Sequence, residues 1–366
     1  MKIVYSDRHA AHDPQTFFVR GINRPAAEQP ERATRLLGAA TEAGHKVVAP
    51  RAYGSAPAAT IHTPEYLDFL QTAARDWAQL ANASAEVVPN VHPSRYPATY
   101  PKILVGRAGW HQTDLACPIG PGTWDAALAA SEVAATATDL VLEGAREAYA
   151  LCRPPGHHAY ADMAGGFCYL NNTAIAAQRL RSRNQRVAIL DVDVHHGNGT
   201  QGIFWERADV LTVSIHADPS HYYPYFWGHA HESGAGAGAG FNLNLPQPIG
   251  SPDAPWLAAG DTAIARIAAF APTALVVALG LDASESDPLQ GLKITAAGFN
   301  AMGRKIAALG LPTVLVQEGR LSQRRPRRQP RAVPLGLRRR SSLGLFRVRR
   351  AEIGENAQRV GVRLQA

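Results

Sequence analysis

Three residues with metal-binding side chains follow a short apolar stretch near the middle of the chain. Asp191, Asp193 and His195 stand at every second position after Val-Ala-Ile-Leu (187–190), a run typical of a strand buried on both faces. Because alternate side chains of an extended backbone point to the same side, these three are predicted to crowd together at the strand's end. Two carboxylates and an imidazole in one small space need a positive charge between them, which a divalent metal ion would provide.

A second apolar stretch offers a further ligand. Residues 274–281 are predicted to form another buried strand, and Asp282 follows it directly. Parallel strands bring their carboxyl ends to the same edge of a sheet, where α/β proteins bind ligands. Asp193, His195 and Asp282 would then form an oxygen and nitrogen site with one coordination position left for water and substrate, as in catalytic metal sites. The alternative is an ordinary strand end whose polar side chains cap the next helix.

Two adjacent histidines could supply acid–base chemistry. His157 and His158 follow Pro-Pro-Gly (154–156), and each proline fixes its own φ and restricts the residue before it. Two imidazoles held in this way beside a metal could take a proton from a water molecule and later protonate a leaving amine. Seen alone, however, a His-His pair in a loop is more often a polar surface turn.

The elements that must position these groups alternate between apolar strands and helices. Residues 187–190, 210–215 and 274–281 are predicted strands separated by helical stretches, which is typical of a parallel α/β sheet. Residues 8–33 are polar and punctuated by proline, and they are predicted to be loop, with a helix opening at Pro30. A chain of 366 residues with 46% hydrophobic content is long enough for one α/β domain with a large core.

Composition also limits where the protein works. No apolar run approaches the roughly 20 residues that span a bilayer, and the first seven residues lack the apolar core of a signal peptide. Cys117, Cys152 and Cys168 cannot all pair with one another, which favours a reducing cytoplasm.

One motif suggests a different class of enzyme. Gly-Asn-Gly-Thr-Gln-Gly (197–202) matches the dinucleotide-binding pattern G-x-G-x-x-G after a strand. A dehydrogenase would nevertheless place Asp191 and Asp193 beside a pyrophosphate and leave His195 and His196 without a role. Such a motif is also expected in a first βαβ unit, so the dehydrogenase interpretation is disfavoured.

The same motifs carry a family resemblance. Arg-Pro-Pro-Gly-His-His (153–158), Gly-Gly-Phe-Cys-Tyr-Leu-Asn-Asn (165–172), Asp-Val-Asp-Val-His-His-Gly-Asn-Gly-Thr-Gln (191–201) and Gly-Leu-Asp (280–282) occur in this order. In sequence and spacing they resemble the histone deacetylase family of the arginase–deacetylase fold, over roughly residues 1–318. Asp-Pro-Ser-His-Tyr-Tyr-Pro-Tyr-Phe-Trp-Gly (218–228) is similar to the bacterial acetylpolyamine amidohydrolase branch. The implied fold is a single α/β domain with a mostly parallel sheet flanked by helices.

The resemblance implies a role for individual residues. It implies one Zn²⁺ on Asp193, His195 and Asp282, and an acid–base pair of His157, backed by Asp191, and His158, backed by Asn198. It also implies a monovalent cation such as K⁺ near Asp191, Asp193, His195, Ser214 and Ile215. Substrate contacts are expected from Gly166 and Phe167 and from aromatic residues of 222–227, among which we select Tyr225 and Phe226.

The end of the chain departs from the family pattern. Residues 319–366 contain 14 Arg, no Lys, no Asp and 2 Glu, which leaves 23 basic and 28 acidic side chains in residues 1–318. The family pattern is Glu-Gly-Gly-Tyr, whose tyrosine holds the developing oxyanion, but this chain reads Glu318-Gly-Arg-Leu321. We interpret residues 319–366 as an Arg-rich tail that is read in the wrong frame or disordered; the alternative is a nucleic-acid or membrane-binding tail. Such a tail would leave the strand at 314–317 without a covering helix.

Together these observations predict a zinc-dependent amidohydrolase domain in residues 1–318 that removes acetyl groups from small acetylated amines, above all acetylpolyamines. An acidic body suits a cationic substrate better than it suits nucleic acid, and no membrane partner is expected. A homodimer is expected from the polyamine branch. The alternatives are a deacetylase of acetyl-lysine in proteins, and a binding protein whose catalysis is impaired because the tyrosine is missing.

Overall fold

A parallel sheet forms the centre of the molecule. The structure is a computed structural model, and it describes residues 1–94 and 96–319. The strands in these residues are β1 (Lys2–Val4), β2 (Thr16–Val19), β3 (Ile22–Pro25), β4 (Lys46–Val48), β5 (Glu147–Ala150), β6 (Val187–Asp191), β7 (Val210–Ala217), β8 (Asn242–Gln247), β9 (Ala274–Leu279) and β10 (Thr313–Gln317). Eight of them form one sheet in the order β4-β1-β5-β10-β9-β6-β7-β8, and every neighbouring pair in it is parallel.

Helices cover both faces of this sheet. They are α1 (Glu31–Glu42), α2 (Ala56–Ala59), α3 (Pro64–Trp77), α4 (Leu104–His111), α5 (Thr123–Leu142), α6 (Asn172–Leu180), α7 (Asn198–Phe204), α8 (Asp253–Phe270) and α9 (Ala296–Ala308). One core cluster packs α1, α8 and α9 against one face, and a second packs α5 and α6 against the other. The strands are therefore buried on both sides, as continuous apolar runs require. The predicted fold, a mostly parallel sheet flanked by helices, is confirmed.

Adjacent strands deliver the chemically interesting segments to one edge of the sheet. The strands β5, β10, β9, β6 and β7 are consecutive neighbours. His157 and His158 follow β5, Asp193 and His195 follow β6, and Asp282 follows β9. Residues that are far apart in the chain therefore meet at the carboxyl ends of these strands because the strands are parallel and adjacent.

The prediction of loop for residues 8–33 is wrong in part. Thr16–Val19 and Ile22–Pro25 pair as an antiparallel hairpin. Its two-residue turn, Arg20 and Gly21, has φ values of +52° and +72°, as a hairpin turn of the I′ type requires. The phenylalanines of β2 are strand formers, and proline and charged residues in the neighbouring sequence conceal that preference.

The expectation that β10 would have an uncovered face is also wrong. All five residues of β10 are buried, and the strand lies between β5 and β9. Leu315 joins the core cluster of α1, α8 and α9, while Val314 and Val316 join that of α5 and α6. The predicted tail lies outside the described residues from Arg320 onwards.

Among the described helices, none combines the length and the apolar character needed to cross a membrane.

Candidate metal and acid–base site

Two carboxylates and an imidazole converge where β6 and β9 end. Nδ1 of His195 lies 3.1 Å from Oδ1 of Asp193 and 3.2 Å from Oδ2 of Asp282. Ligand atoms of the three residues all lie within 4.8 Å of one another. Asp193 and Asp282 are buried, and the side chain of His195 is 14% exposed. The three residues that the sequence predicted as ligands are thus brought together with one partly open side.

Backbone N–H groups orient both carboxylates. Gly319 N donates to Oδ2 of Asp193 over 2.7 Å, and Val194 N donates to Oδ1 of Asp282 over 3.0 Å. Such outer contacts hold ligating carboxylates in a fixed orientation in metal sites. The donor set of two carboxylates and one imidazole therefore fits a divalent metal ion.

Glycines leave room for these carboxylates. A Cβ on Gly280 would lie 2.2 Å from Oδ2 of Asp193, and a Cβ on Gly319 would lie 2.2 Å from Oδ2 of Asp282. Real side-chain contacts are never this short, so any larger residue at either position would displace a carboxylate.

The protonation of these side chains also indicates that the two carboxylates need a positive charge beside them. Burial alone would lower the pKa of His195, but hydrogen bonds to Asp193 and Asp282 and their charges raise it to about 9. Burial raises the pKa of Asp282, and the nearby charge of Asp193 adds to that effect. In the absence of a metal ion, the protonated imidazole therefore compensates the carboxylates. A divalent cation would compete with that proton, as metals do with protons on their ligands.

The two histidines have different partners behind their rings. Nδ1 of His157 lies 2.9 Å from Oδ2 of Asp191, and Nδ1 of His158 lies 2.6 Å from Oδ1 of Asn198. Both partners are acceptors, so Nδ1 donates in each case. The two rings are 4.0 Å apart, and Nε2 of His157 lies 3.8 Å from Oδ1 of Asp193.

These partners give the two imidazoles opposite protonation tendencies. Burial alone would lower the pKa of His157, but the charges of Asp193 and Asp191 raise it to about 10. Burial lowers the pKa of His158, and the neighbouring charges of His157 and His195 lower it further, to well below its ordinary value. An amide cannot offset this loss as a carboxylate does, so the pair contains one imidazole that favours the charged form and one that favours the neutral form.

Glu318 fixes the backbone of the histidine segment, a role that the sequence analysis did not assign to it. Its buried carboxylate accepts hydrogen bonds from Gly156 N (2.6 Å) and His157 N (3.1 Å) through Oε2, and from the hydroxyl of Thr173 (2.6 Å) through Oε1. An acidic residue directly after a buried strand was the available signal, as it was for Asp282.

Aromatic rings of the segment after β7 lie against the histidines. The ring of Tyr222 stacks on His195 at a centroid distance of 5.1 Å, and the ring of Tyr223 meets His158 edge-on at 5.0 Å. We call Tyr222 and Tyr223 the aromatic wall. The structure leaves Tyr225 and Phe226, which the sequence analysis selected, 52% and 78% exposed.

The other two predicted substrate contacts are Gly166 and Phe167, and Gly166 lies beside His158 and Tyr223. Gly166 has φ +51°, and a Cβ there would lie 2.5 Å from Cδ2 of His158 and 2.8 Å from the hydroxyl oxygen of Tyr223. Phe167 has φ +69°, and its ring packs edge-on against Phe17 of the β2–β3 hairpin, 5.6 Å away. Asp114, which the sequence analysis missed, accepts hydrogen bonds from Gly166 N (3.1 Å) and from the hydroxyl of Tyr223 (2.6 Å).

The residues predicted to surround a monovalent cation also lie near one another. In the pairing of β6 with β7, Asp191 is opposite Ser214, and both are buried. Ile215 follows in β7 with no exposure, and Asp193 N donates to Oδ1 of Asp191 over 3.0 Å. Ser214 also bonds through its hydroxyl to Nδ1 of His216, 2.8 Å away.

Comparison with known proteins places this site in a family. The histone deacetylase domain matches residues 26–328. The chain is 48% identical over 309 residues to the acetylpolyamine amidohydrolase of Burkholderia pseudomallei (strain 1710b), covering 84% of this chain and 90% of that protein. It is 45% identical over 324 residues to acetylpolyamine amidohydrolase 1 of Pseudomonas aeruginosa PAO1, covering 87% of this chain and 93% of that protein.

A solved structure agrees with these sequence matches. The crystal structure of acetylpolyamine aminohydrolase from Burkholderia pseudomallei superimposes with a TM-score of 0.85 at 46% identity, covering 88% of this chain and 94% of that one. The predicted resemblance is confirmed: the chain belongs to the histone deacetylase family.

Proposed function

We propose that this protein is a zinc-dependent amidohydrolase that removes acetyl groups from acetylated amines, and that acetylpolyamines are its substrates. The observation that carries the proposal is the convergence of Asp193, His195 and Asp282 with the buried pair His157 and His158 at one edge of the sheet. Membership of the histone deacetylase family supports the reaction class. The names of the two similar proteins, acetylpolyamine amidohydrolases, support the substrate class.

We propose Zn²⁺ as the metal because imidazole and carboxylate are ligands that catalytic zinc sites use with one position left open. Bound between Asp193, His195 and Asp282, the ion would supply Lewis-acid polarisation of the acetyl carbonyl and of the attacking water. A monovalent cation such as K⁺ near Asp191, Ser214 and Ile215 remains part of the proposal.

The histidines would divide the proton transfers according to their partners. His158 favours the neutral form, so its Nε2 can take a proton from water and return it to the leaving amine. His157 favours the charged form and lies beside it, where it can stabilise the negative charge that develops during attack. Asp191 and Asn198 would hold the two rings in their tautomers.

The walls of the site suit an aliphatic chain that ends in a cation. Tyr222, Tyr223 and Phe167 offer ring surfaces, and Gly166 leaves space beside His158 and Tyr223. Residues 1–318 carry a net charge of −5, which attracts a protonated amine over a distance. Tyr225 and Phe226, being exposed, would contact only the outer part of such a substrate.

A second candidate function rests on the chain's departure from the family pattern. Arg320 and Leu321 stand where Gly-Tyr is expected, so the tyrosine hydroxyl that would bind the oxyanion is missing. Loss of one such donor typically lowers the rate by about 10²–10³. The chain as written would then bind acetylated amines and turn them over slowly, as a catalytically impaired binding protein.

The proposed domain is residues 1–318, and residues 319–366 remain a predicted tail, of which Gly319 still contributes its N–H to Asp193. Three buried, unpaired cysteines suit a cytoplasmic location, since a reducing compartment keeps thiols free. We keep the homodimer as a proposal that sedimentation analysis would test.

The deciding experiment compares kcat/KM for N-acetylputrescine and for an acetyl-lysine peptide with zinc-loaded protein. We expect the polyamine to be preferred. A preference for the peptide would favour the protein deacetylase instead, and binding without turnover of either substrate would favour the impaired binding protein.

A further inference from the structure

One short helix connects the acid–base pair to the aromatic wall. Asn198 and Gln201 lie one turn apart in α7, so they share a face of the helix. Asn198 holds the ring of His158, and Nε2 of Gln201 donates to Oε2 of Glu232 over 2.6 Å. Glu232 lies ten residues after Tyr222 in the same segment, residues 218–241, which joins β7 to β8.

The carboxylate of Glu232 is the centre of a hydrogen-bond network. Its Oε2 also accepts from Gly228 N over 2.8 Å and from Nδ2 of Asn244 over 3.2 Å. Its backbone carbonyl accepts from Nδ2 of Asn242 over 2.8 Å. The carbonyl oxygen of the Gln201 side chain accepts from the amides of Asn242 (3.0 Å) and Asn244 (2.8 Å). Glu232 therefore ties its own segment to α7 and to β8 at once.

Gly228 brings the backbone of this segment close to two buried histidine rings. It has φ +103°, and a Cβ there would lie 2.7 Å from Cγ of His196 and 2.8 Å from Nε2 of His216. Its carbonyl accepts from Nε2 of His216 over 2.9 Å. The backbone can approach these buried rings only without a side chain, and the Glu232 carboxylate holds its N–H in that position.

The aromatic wall has a separate anchor on its other side. The hydroxyl of Tyr223 donates to Oδ2 of Asp114 over 2.6 Å. That bond fixes the hydroxyl end of the Tyr223 ring, whereas the Gln201–Glu232 network fixes the backbone that follows the aromatic wall, at Gly228.

We infer that Gln201 and Glu232 are positioning residues that place the aromatic wall against His195 and His158 and thereby set the affinity for the alkyl chain of the substrate. The inference rests on the proposed function, since it assumes a substrate with an alkyl chain. Neither residue touches the metal ligands in the contacts described above, so their effect should appear in binding rather than in proton transfer.

The test uses the zinc-loaded full-length protein and two probes, N-acetylputrescine and acetohydroxamate. The first has an alkyl chain to pack against the wall, and the second is directed to the metal with almost no chain. We expect Glu232→Ala and Gln201→Ala each to raise the Kd for N-acetylputrescine about tenfold, as expected for loss of a hydrogen bond to a charged group. The Kd for acetohydroxamate should change less than about twofold, and kcat should change less than KM.

Hydrogen exchange and three further variants separate positioning from a general loss of structure. Hydrogen exchange at Gly228 should be faster in Glu232→Ala even in metal-free protein, because its acceptor is gone. Glu232→Gln keeps an acceptor oxygen and should restore most of the affinity. The double variant should lose less affinity than the two single losses added together, because the Gln201–Glu232 bond is common to both. Glu206→Ala, an exposed glutamate just after α7, is the matched control and should leave both Kd values unchanged.

The outcomes distinguish the two proposals. A folded Glu232→Ala variant with wild-type affinity for N-acetylputrescine and wild-type exchange at Gly228 would overturn the inference, as would an equal loss for both probes. If wild-type protein binds acetohydroxamate but not N-acetylputrescine, the proposed substrate class fails, and the exchange measurement still decides whether Glu232 holds the segment. If Glu232→Ala does not fold, Gln201→Ala removes the Gln201–Glu232 bond from the helix side. Wild-type affinity of that variant for N-acetylputrescine would then overturn the inference.

Discussion

Nδ1 of His158 lies 2.6 Å from the amide oxygen of Asn198, whereas its neighbour His157 is backed by a carboxylate. Because of this difference in one functional group, the two imidazoles have different protonation tendencies. An amide orients an imidazole without stabilising its charged form, so His158 remains available as a base near neutral pH.

Asn198→Asp should therefore make His158 a poorer base at acidic pH. A carboxylate at Nδ1 stabilises the imidazolium and raises the pKa of His158. Because the base must be unprotonated to act, the acidic limb of the plot of kcat/KM against pH should shift to higher pH by about 1–2 units. Asn198→Ala removes the partner without adding charge, so it should not shift the acidic limb to higher pH. An unchanged profile in the aspartate variant would remove His158 from the role of base.

The metal group can be tested without turnover. Wild-type protein should contain about one zinc per chain by elemental analysis, and Asp282→Ala should lose it, because a catalytic zinc site depends on all three protein ligands. Asp125→Ala, which removes an exposed carboxylate at the start of α5, is the control and should keep the metal. Stoichiometric zinc in Asp282→Ala would show that Asp282 is not a ligand.

The missing tyrosine gives a gain-of-function prediction. The double substitution Arg320→Gly/Leu321→Tyr restores the family pattern after Glu318-Gly319 and should raise kcat by about 10²–10³, as expected for one oxyanion donor. Arg320→Gly/Leu321→Phe adds the ring without the hydroxyl and should leave kcat low. Equal rates for the two variants would mean that another group binds the oxyanion.

Buried histidines predict how stability depends on pH. His62 accepts a hydrogen bond from Asn171 N at Nε2 over 2.9 Å, and burial lowers its pKa from 6.5 to about 4. The unfolded chain binds this proton at higher pH than the folded one, so stability falls as the pH drops from about 6.5 towards 4. The loss amounts to about 3 kcal/mol for this group. His9, His12 and His216 also have pKa values lowered by burial, to about 4, 3 and 4.

Denaturant unfolding at pH 7 and pH 5 would measure this effect. His62→Gln keeps a side-chain acceptor for Asn171 N but cannot be protonated, so the difference in unfolding free energy between the two pH values should shrink. His221→Gln, at an exposed position, should not change that difference. An identical pH dependence in His62→Gln would show that another group controls acid unfolding.

The metal ligands could be predicted from the sequence because metal-binding side chains occur directly after apolar runs typical of buried strands. Asp193, His195 and Asp282 could be identified because each follows a buried apolar run, and parallel strands bring such positions together. Asp193 and His195 lie beyond the strand itself, since β6 ends at Asp191, so the alternation of side chains along a strand does not apply to them. The ligands still converge, because β6 and β9 are neighbours.

The orientation of the aromatic rings and the role of Glu232 could not be predicted, because they depend on a turn and on hydrogen bonds between residues far apart in the sequence. Tyr225 has φ +63°, and the chain direction changes there, so Tyr225 and Phe226 are exposed while Tyr222 and Tyr223 face the histidines. No periodic pattern in an aromatic-rich stretch indicates which rings face inward. The partners of Glu232 likewise lie in α7 and β8, and only the folded chain shows that they meet.

Gly319 has a consequence for how mutations at this site would be interpreted. It contributes no functional group, yet any side chain would push into the carboxylates of Asp282 and Asp193, with the nearest oxygen 2.2 Å from a Cβ. In a saturation-mutagenesis screen scored by zinc retention, this codon should be as intolerant as those of the three ligands, even to alanine. A survey restricted to reactive side chains would overlook it, because what this position contributes to the site is the absence of a methyl group.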